Sequence, residues 1–192
     1  MRFASIRSMD ISNGEGVGVA LFVQGCHLHC YNCFNQETWD FNGGKEWTED
    51  IKNKFIKLID HPYISRVSFL GGEPLADENV ETVFKIIEEI QSIYPNKKIW
   101  IYTGYTLETI KQTLDSHIKI PDYLSLCLEP IPVNAIYDIK RWKTIELCDV
   151  LVDGQFIDSQ KNMNLRFKGS SNQRIIDVQK SLKQNKVVLY YN

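Results

Sequence analysis

Hydrophobic positions along this chain change their period several times, and each change marks an element. Residues 17–23 form an almost unbroken apolar run rich in β-branched side chains, the pattern of a buried strand. The turn Asn13-Gly14-Glu15-Gly16 precedes the run and Gly25 follows it. Ahead of the turn, Phe3, Ile6, Met9 and Ile11 are irregularly spaced, so 1–13 reads as a short strand and turn. Further on, Ile51, Phe55, Leu58 and Ile59 recur at helical spacing behind Thr48, a helix cap, and Pro62 stops that helix. Residues 66–70 make a short apolar strand that runs into Gly71-Gly72-Glu73-Pro74. A helix over 78–93 carries Val80, Val83, Phe84, Ile87 and Ile90 on one side, and Tyr94-Pro95-Asn96 closes it. The next strand, 98–102, ends at Thr103-Gly104-Tyr105, and Thr106 caps a helix running through Leu114.

The remainder is less regular. Residues 123–128 read as a strand, and Glu129-Pro130-Ile131-Pro132 is incompatible with a helix interior. A short helix over 134–144 offers Trp142 to the core, and a strand over 150–152 leads into Asp153-Gly154. A polar loop, a last helix over 175–182 and a terminal strand over 186–190 complete the chain. Repeated strand–loop–helix units predict an α/β fold with a mostly parallel sheet and outer helices. In such sheets ligands gather at the carboxyl ends of the strands. The loop after residue 25, the Gly-Gly-Glu-Pro at 71–74 and the Thr-Gly-Tyr at 103–105 all fall on that edge.

Composition narrows the class. At 192 residues the chain suits one compact domain over 1–192. A formal charge of -2 leaves no polybasic footprint, which argues against nucleic acid as a partner. No apolar run has the length of a membrane span and no signal-peptide pattern opens the chain, so a cytoplasmic location is expected. Five cysteines is an odd number with three crowded together, which points to reduced thiols serving a metal rather than to a disulfide framework.

Those three lie in Cys26-His27-Leu28-His29-Cys30-Tyr31-Asn32-Cys33. Thiolates are soft ligands for zinc, copper(I) or iron–sulfur clusters, and three protein ligands leave a fourth position open for chemistry. A structural zinc site with His27 or His29 as fourth ligand is one reading. Such sites use two separated ligand pairs, whereas this spacing is compact with no second pair, and that favours a cluster. Cys127 and Cys148 have no ligand pattern around them and are expected to be buried, inert thiols.

Cys26-x3-Cys30-x2-Cys33 resembles the signature of the radical S-adenosylmethionine enzymes. More narrowly, the chain is similar to the activating proteins of anaerobic (class III) ribonucleoside-triphosphate reductase. The blocks that carry the likeness are Asn13-Gly14, Gln24-Gly25-Cys26, Cys33-Phe34-Asn35, Gly71-Gly72-Glu73-Pro74, Tyr102-Thr103-Gly104-Tyr105, the run 149–154 and Gly169-Ser170-Ser171-Asn172-Gln173-Arg174. They span nearly the whole chain. Many superfamily members place an aromatic residue before the third cysteine; here Asn32 stands there and Phe34 follows the cysteine. The stretch 120–144 looks longer than the compact family pattern and reads as an extended insertion without an assignable purpose.

The resemblance implies a partial (β/α) barrel of radical S-adenosylmethionine type. It implies a [4Fe-4S] cluster on Cys26, Cys30 and Cys33 whose fourth iron binds the amino and carboxylate groups of S-adenosyl-L-methionine. Reductive cleavage of the sulfonium would give methionine and a 5′-deoxyadenosyl radical. In this family that radical takes hydrogen from a glycine of the large reductase subunit, a glycyl-radical enzyme, with electrons from a low-potential donor such as flavodoxin or ferredoxin. Gly71 and Gly72 lack side chains, so backbone can approach the methionine end, and Glu73 is expected to receive its ammonium. Asn32 and Phe34 are placed to touch the adenosine. Thr103 and Gly104 sit where they could meet the carboxylate or ribose, with plain strand capping as the alternative. Asp153 is expected near the ligand or orienting Arg166, with Asn172 and Arg174 ordering the final loop. Competing readings are an activase of another glycyl-radical enzyme, a small-molecule enzyme of the same superfamily, and a non-catalytic zinc-binding interaction module.

Overall fold

The computed structural model describes residues 1–118 and 132–191. Its centre is four parallel strands, β2 (Gly18–Val23), β4 (Arg66–Gly71), β5 (Lys98–Tyr102) and β6 (Val150–Asp153). Antiparallel strands complete the seven-stranded sheet: β1 (Arg2–Asp10) and β3 (Lys45–Glu46) beyond β2, and β7 (Arg174–Asp177) beyond β6. The order β3-β1-β2-β4-β5-β6-β7 leaves β3 and β7 at opposite edges, so among the described residues the sheet is open. The fold is thus mixed α/β with a largely parallel sheet and flanking helices, and a closed barrel is not formed by these strands.

Sequence pattern explains the layers. Every residue of β2 is buried, which is why that strand reads as a continuous apolar run rather than an alternating one. On one face, Val19, Leu21, Val67, Phe69, Ile99, Ile101 and Leu151 meet the apolar stripes of α1 (Glu49–Ile59) and α2 (Asp77–Ile93), including Phe55, Ile59, Val83, Ile87 and Ile90. Full burial of each such side chain contributes about 1.5–3 kcal/mol. On the other face, Phe22 lies beside Leu70 and Tyr102 beside Val152, and Phe22, Leu70 and Tyr102 line the cleft described below.

Helix boundaries follow local chemistry. Thr48 caps α1 by accepting from the Ile51 N–H at 3.4 Å, as its sequence position predicts. The helix α3 (Leu107–Ile118) starts after Thr106, whose hydroxyl accepts from Thr109 N–H at 3.2 Å. The helix expected over 134–144 is α4, Val133–Glu146, with Trp142 partly buried against the core. No helix among the described residues is long and apolar enough to cross a membrane.

Three expectations are corrected. The amino-terminal strand is longer than a short strand and turn: β1 runs nine residues and pairs with β2 through two register shifts that absorb its irregular pattern. Ile175 and Ile176 belong to β7 rather than to a helix: they pair with Val152 and Leu151, and α5 (Val178–Gln184) begins only where Asp177 accepts from Lys180 N–H at 2.9 Å. The terminal stretch joins β7 through a single bridge, Ile176 to Leu189, instead of forming a strand. The strand expected over 123–128, Cys127 and most of the proline-rich stretch lie outside the described residues.

Candidate cluster and cofactor cleft

The cysteine loop is held by its own flanks. Buried Gln24 donates through its side-chain amide to the carbonyls of Glu37 (3.1 Å) and Asp40 (2.8 Å). The N–H groups of Gly25 and Cys26 donate to Thr38 (2.7 Å) and Trp39 (3.1 Å). Residues 26–33 are thereby drawn against 37–41, where His29 stacks on Trp39 at 4.7 Å and His27 lies 4.4 Å from the Phe41 ring. Trp39 and Phe41 thus cover one wall of the loop. His27 faces solvent and pairs with Glu78 at 3.0 Å. His29 and Asn32 both take left-handed backbone angles (φ 44° and 54°), which fold the loop tightly.

Cys26, Cys30 and Cys33 all line one cleft of about 610 Å³, a volume suited to a cofactor-sized ligand. All three are free thiols. Burial pushes the Cys26 thiol up to about 11 and raises Cys33 as well. A bound cation reverses that preference, because a coordinating thiol is deprotonated outright. The Asn35 N–H already donates to Cys33 Sγ at 3.4 Å.

Three glycines beyond the strand ends also line the cleft. Gly72, Gly104 and Gly154 each stand two residues past Leu70, Tyr102 and Val152, and all three line the cleft. A Cβ on Gly72 would sit 2.3 Å from the Gly25 carbonyl oxygen, and one on Gly104 would sit 2.1 Å from Leu28 Cδ1. The absence of a side chain at both places lets this shelf pack directly on the cysteine loop.

Glu73 ties the loops together. Its N–H donates to the Gly25 carbonyl at 2.8 Å, beside the first cysteine. Its buried carboxylate accepts from Leu75 N–H (2.9 Å) and the Thr103 hydroxyl (2.8 Å) on one oxygen, and from Gly104 N–H (2.8 Å) on the other. Burial raises its pKa against the pull of these donors. The carboxylate expected to receive a ligand ammonium is therefore engaged in joining the Gly-Gly-Glu-Pro loop to the Thr-Gly loop. Thr103 correspondingly commits its hydroxyl to Glu73.

The other predicted residues divide. Gly71, Gly72, Glu73, Thr103, Gly104 and Phe34 line the cleft, and Phe34 packs edge-on against Phe156 at 5.2 Å. Asn32 lies outside the lining, exposed, donating to Asp158 at 3.2 Å. Asp153 is also outside the lining: its carboxylate accepts from Leu107 N–H (2.9 Å) and from the Arg174 guanidinium (Nε 2.9 Å). Its orienting partner is Arg174, while Arg166 lies 4.0 Å from Glu15. Asn172 and Arg174 do order the last loop, through Gln155 and through Asp153 with Glu108.

Sequence reasoning missed Asn79, whose buried amide donates to the carbonyls of Gln24 and Glu73, both at 3.0 Å. A polar residue beside Val80 on the apolar stripe of α2 was the available signal. It also missed the wall supplied by Phe156, Met163, Leu165 and Phe167, which no periodic pattern marks.

The donor set fits a group that brings several irons. A cluster asks for one thiol per iron, and here three soft donors line one cleft together with Gly72, Gly104 and Gly154.

Comparison with known proteins agrees. A family model described as a 4Fe-4S single cluster domain matches residues 12–176. The anaerobic ribonucleoside-triphosphate reductase-activating protein of Salmonella typhimurium is 32% identical over 175 residues, covering 90% of this chain and 96% of that protein. The protein of the same name from Escherichia coli K12 is 31% identical over 175 residues with the same coverage. That of Vibrio cholerae is 31% identical over 177 residues, 91% of this chain and 97% of its own length. The chain belongs to the 4Fe-4S single cluster domain family and to the family of anaerobic ribonucleoside-triphosphate reductase-activating proteins.

Proposed function

We propose that this protein is a radical S-adenosylmethionine activase that installs a glycyl radical on anaerobic ribonucleoside-triphosphate reductase. The observation that carries the reading is the meeting of three cysteines, the Gly72–Gly104–Gly154 shelf and the Phe34 wall in one cleft at the carboxyl ends of parallel strands.

Cys26, Cys30 and Cys33 would each hold one iron of a [4Fe-4S] cluster, leaving a fourth iron for the amino and carboxylate groups of S-adenosylmethionine. When bound, the reduced cluster and its ligand supply one-electron cleavage of the sulfonium and a 5′-deoxyadenosyl radical able to take hydrogen from glycine. The chain itself provides position and enclosure. Gly72 and Gly104 let the two strand-end loops pack closely on the cysteine loop, and Glu73 fixes the spacing of those two loops. Phe34 and Phe156 give the adenosine an apolar wall, with Lys161 lying 4.6 Å over the Phe34 ring. Trp39 and Phe41 back the cysteine loop through their ring contacts with His29 and His27.

The test combines the anaerobically reconstituted protein, a low-potential reductant, S-adenosylmethionine and the reductase. A glycyl radical on the reductase, formed with 5′-deoxyadenosine, is the expected result. A cluster-loaded protein that cleaves S-adenosylmethionine but radicalises only a different glycyl-radical enzyme, or none, would move the assignment elsewhere.

A further inference from the structure

Arg141 lies on α4, in the stretch whose purpose is not evident from its sequence pattern. We propose that Arg141 is a positioning residue that braces both ligand-facing loops of the cleft from behind. This rests on the reading of that cleft as the seat of S-adenosylmethionine.

Arg141 is largely buried, its side chain 14% exposed, although it lies in none of the blocks that mark the family. Its Nε donates to the Leu75 carbonyl at 2.9 Å. The N–H of the same Leu75 donates to Glu73 Oε1 at 2.9 Å, and Glu73 in turn holds Thr103 and Gly104. Leu75 is therefore pinned at its carbonyl by α4 and at its N–H by the cleft. The guanidinium also pairs with Asp77 at the start of α2 and with Asp138 one turn back on α4. Its Cζ stands 5.4 Å from the centre of the Tyr105 ring, directly after the Thr-Gly pair.

One planar fork thus touches the loop after β4, the first turn of α2 and the loop after β5. A five-donor fork with fixed geometry can serve these partners at once, whereas a lysine ammonium at the end of a flexible stem cannot. Arg141 touches neither the cysteines nor the open cleft, so its effect runs through the position of Leu75 and Glu73.

The test compares R141K with K140M. R141K keeps a cation beside Asp77 and Asp138, so no buried carboxylate is stranded and the variant folds. K140M removes a different tie between α4 and α2, the Lys140 contacts to Glu81 (2.9 Å) and to the Phe84 ring (4.3 Å). Amide hydrogen exchange of Leu75 and Gly104 is measured on cluster-free protein, and S-adenosylmethionine affinity on reconstituted protein from the ligand-dependent change in the reduced-cluster signal. We expect R141K to speed exchange at both amides and to weaken affinity about tenfold, the effect of losing one charge-assisted hydrogen bond, while K140M leaves both unchanged. Equal effects of the two variants, or unchanged exchange at Leu75 and Gly104 in R141K, would overturn the bracing role. If the wild-type cluster signal ignores S-adenosylmethionine, the functional reading falls, and the exchange result still decides whether Arg141 braces the loops.

Discussion

Glu73 accepts the Gly104 N–H at 2.8 Å, and that bond joins the ends of two adjacent parallel strands. Its other oxygen serves Leu75 N–H and the Thr103 hydroxyl. A glutamine at this position has only one acceptor oxygen, so either amide orientation leaves one backbone N–H facing an NH2 group. E73Q should therefore lose about 1–3 kcal/mol of stability, the cost of one buried unpaired donor. Denaturant unfolding measures the loss, and amide exchange should identify either Leu75 or Gly104 as the residue released.

Gly72 and Gly104 of the shelf should respond unequally. At Gly72 a Cβ meets the Gly25 backbone oxygen at 2.3 Å, and neither backbone can move without shifting the cysteine loop. At Gly104 the obstacle is Leu28 Cδ1, the end of a flexible side chain. G72A is expected to be destabilised by about 1–3 kcal/mol and to assemble little cluster on reconstitution. G104A should keep near-normal iron and sulfide content. Equal cluster yields in the two variants would contradict the close packing of the shelf on the loop.

Asp153 and Glu108 share Arg174 between the start of α3 and β7. Hydrogen bonds from Arg174 hold the Glu108 carboxyl below its ordinary value of 4.5. A lowered carboxyl pKa in the folded state stabilises the protein above the ordinary value, and the contribution is lost as pH falls through the depressed one. The stability difference between wild type and E108Q should thus be present at neutral pH, begin to fall below about pH 4.5 and vanish only once pH drops below the depressed value. It should also shrink with added salt, since Glu108 is exposed. D153N, which weakens a buried pair, should cost several-fold more stability while the cluster signal still responds to S-adenosylmethionine.

Thiol chemistry separates the site from the core. Cys148 is fully buried and gives its S–H to the Thr144 carbonyl at 3.2 Å, whereas Cys30 and Cys33 are partly exposed on the cleft. In cluster-free protein carrying C127S, an alkylating reagent should modify Cys30 and Cys33 first and Cys26 more slowly. Cys148 should react only on unfolding. Mapping the modified residues by mass spectrometry checks this order.

Much of the site was legible because its chemistry is local in sequence. The cysteine spacing, the Gly-Gly-Glu-Pro loop and the Thr-Gly loop each end a strand whose apolar run is unmistakable, and parallel topology then brings strand ends together. What escaped depends on contacts between distant residues. The roles of Glu73 and Asp153 turned on partners 30 and 21 residues away, Thr103 and Arg174, which spacing does not disclose. Ile175 and Ile176 look the same before a helix as in a strand, and only pairing with β6 decides between them. Arg141 and Asn79 are single polar residues on helices whose purpose appears only once the loops they hold are folded.

The most direct test of the central claim is electron paramagnetic resonance of the anaerobically reconstituted, reduced protein with and without S-adenosylmethionine. A [4Fe-4S] signal that changes on adding the ligand, and disappears in C26S, C30S and C33S but not in C148S, is the predicted result. A protein that takes up one zinc, assembles no cluster and is indifferent to the ligand would contradict it, and the cysteine loop would then be a structural clasp.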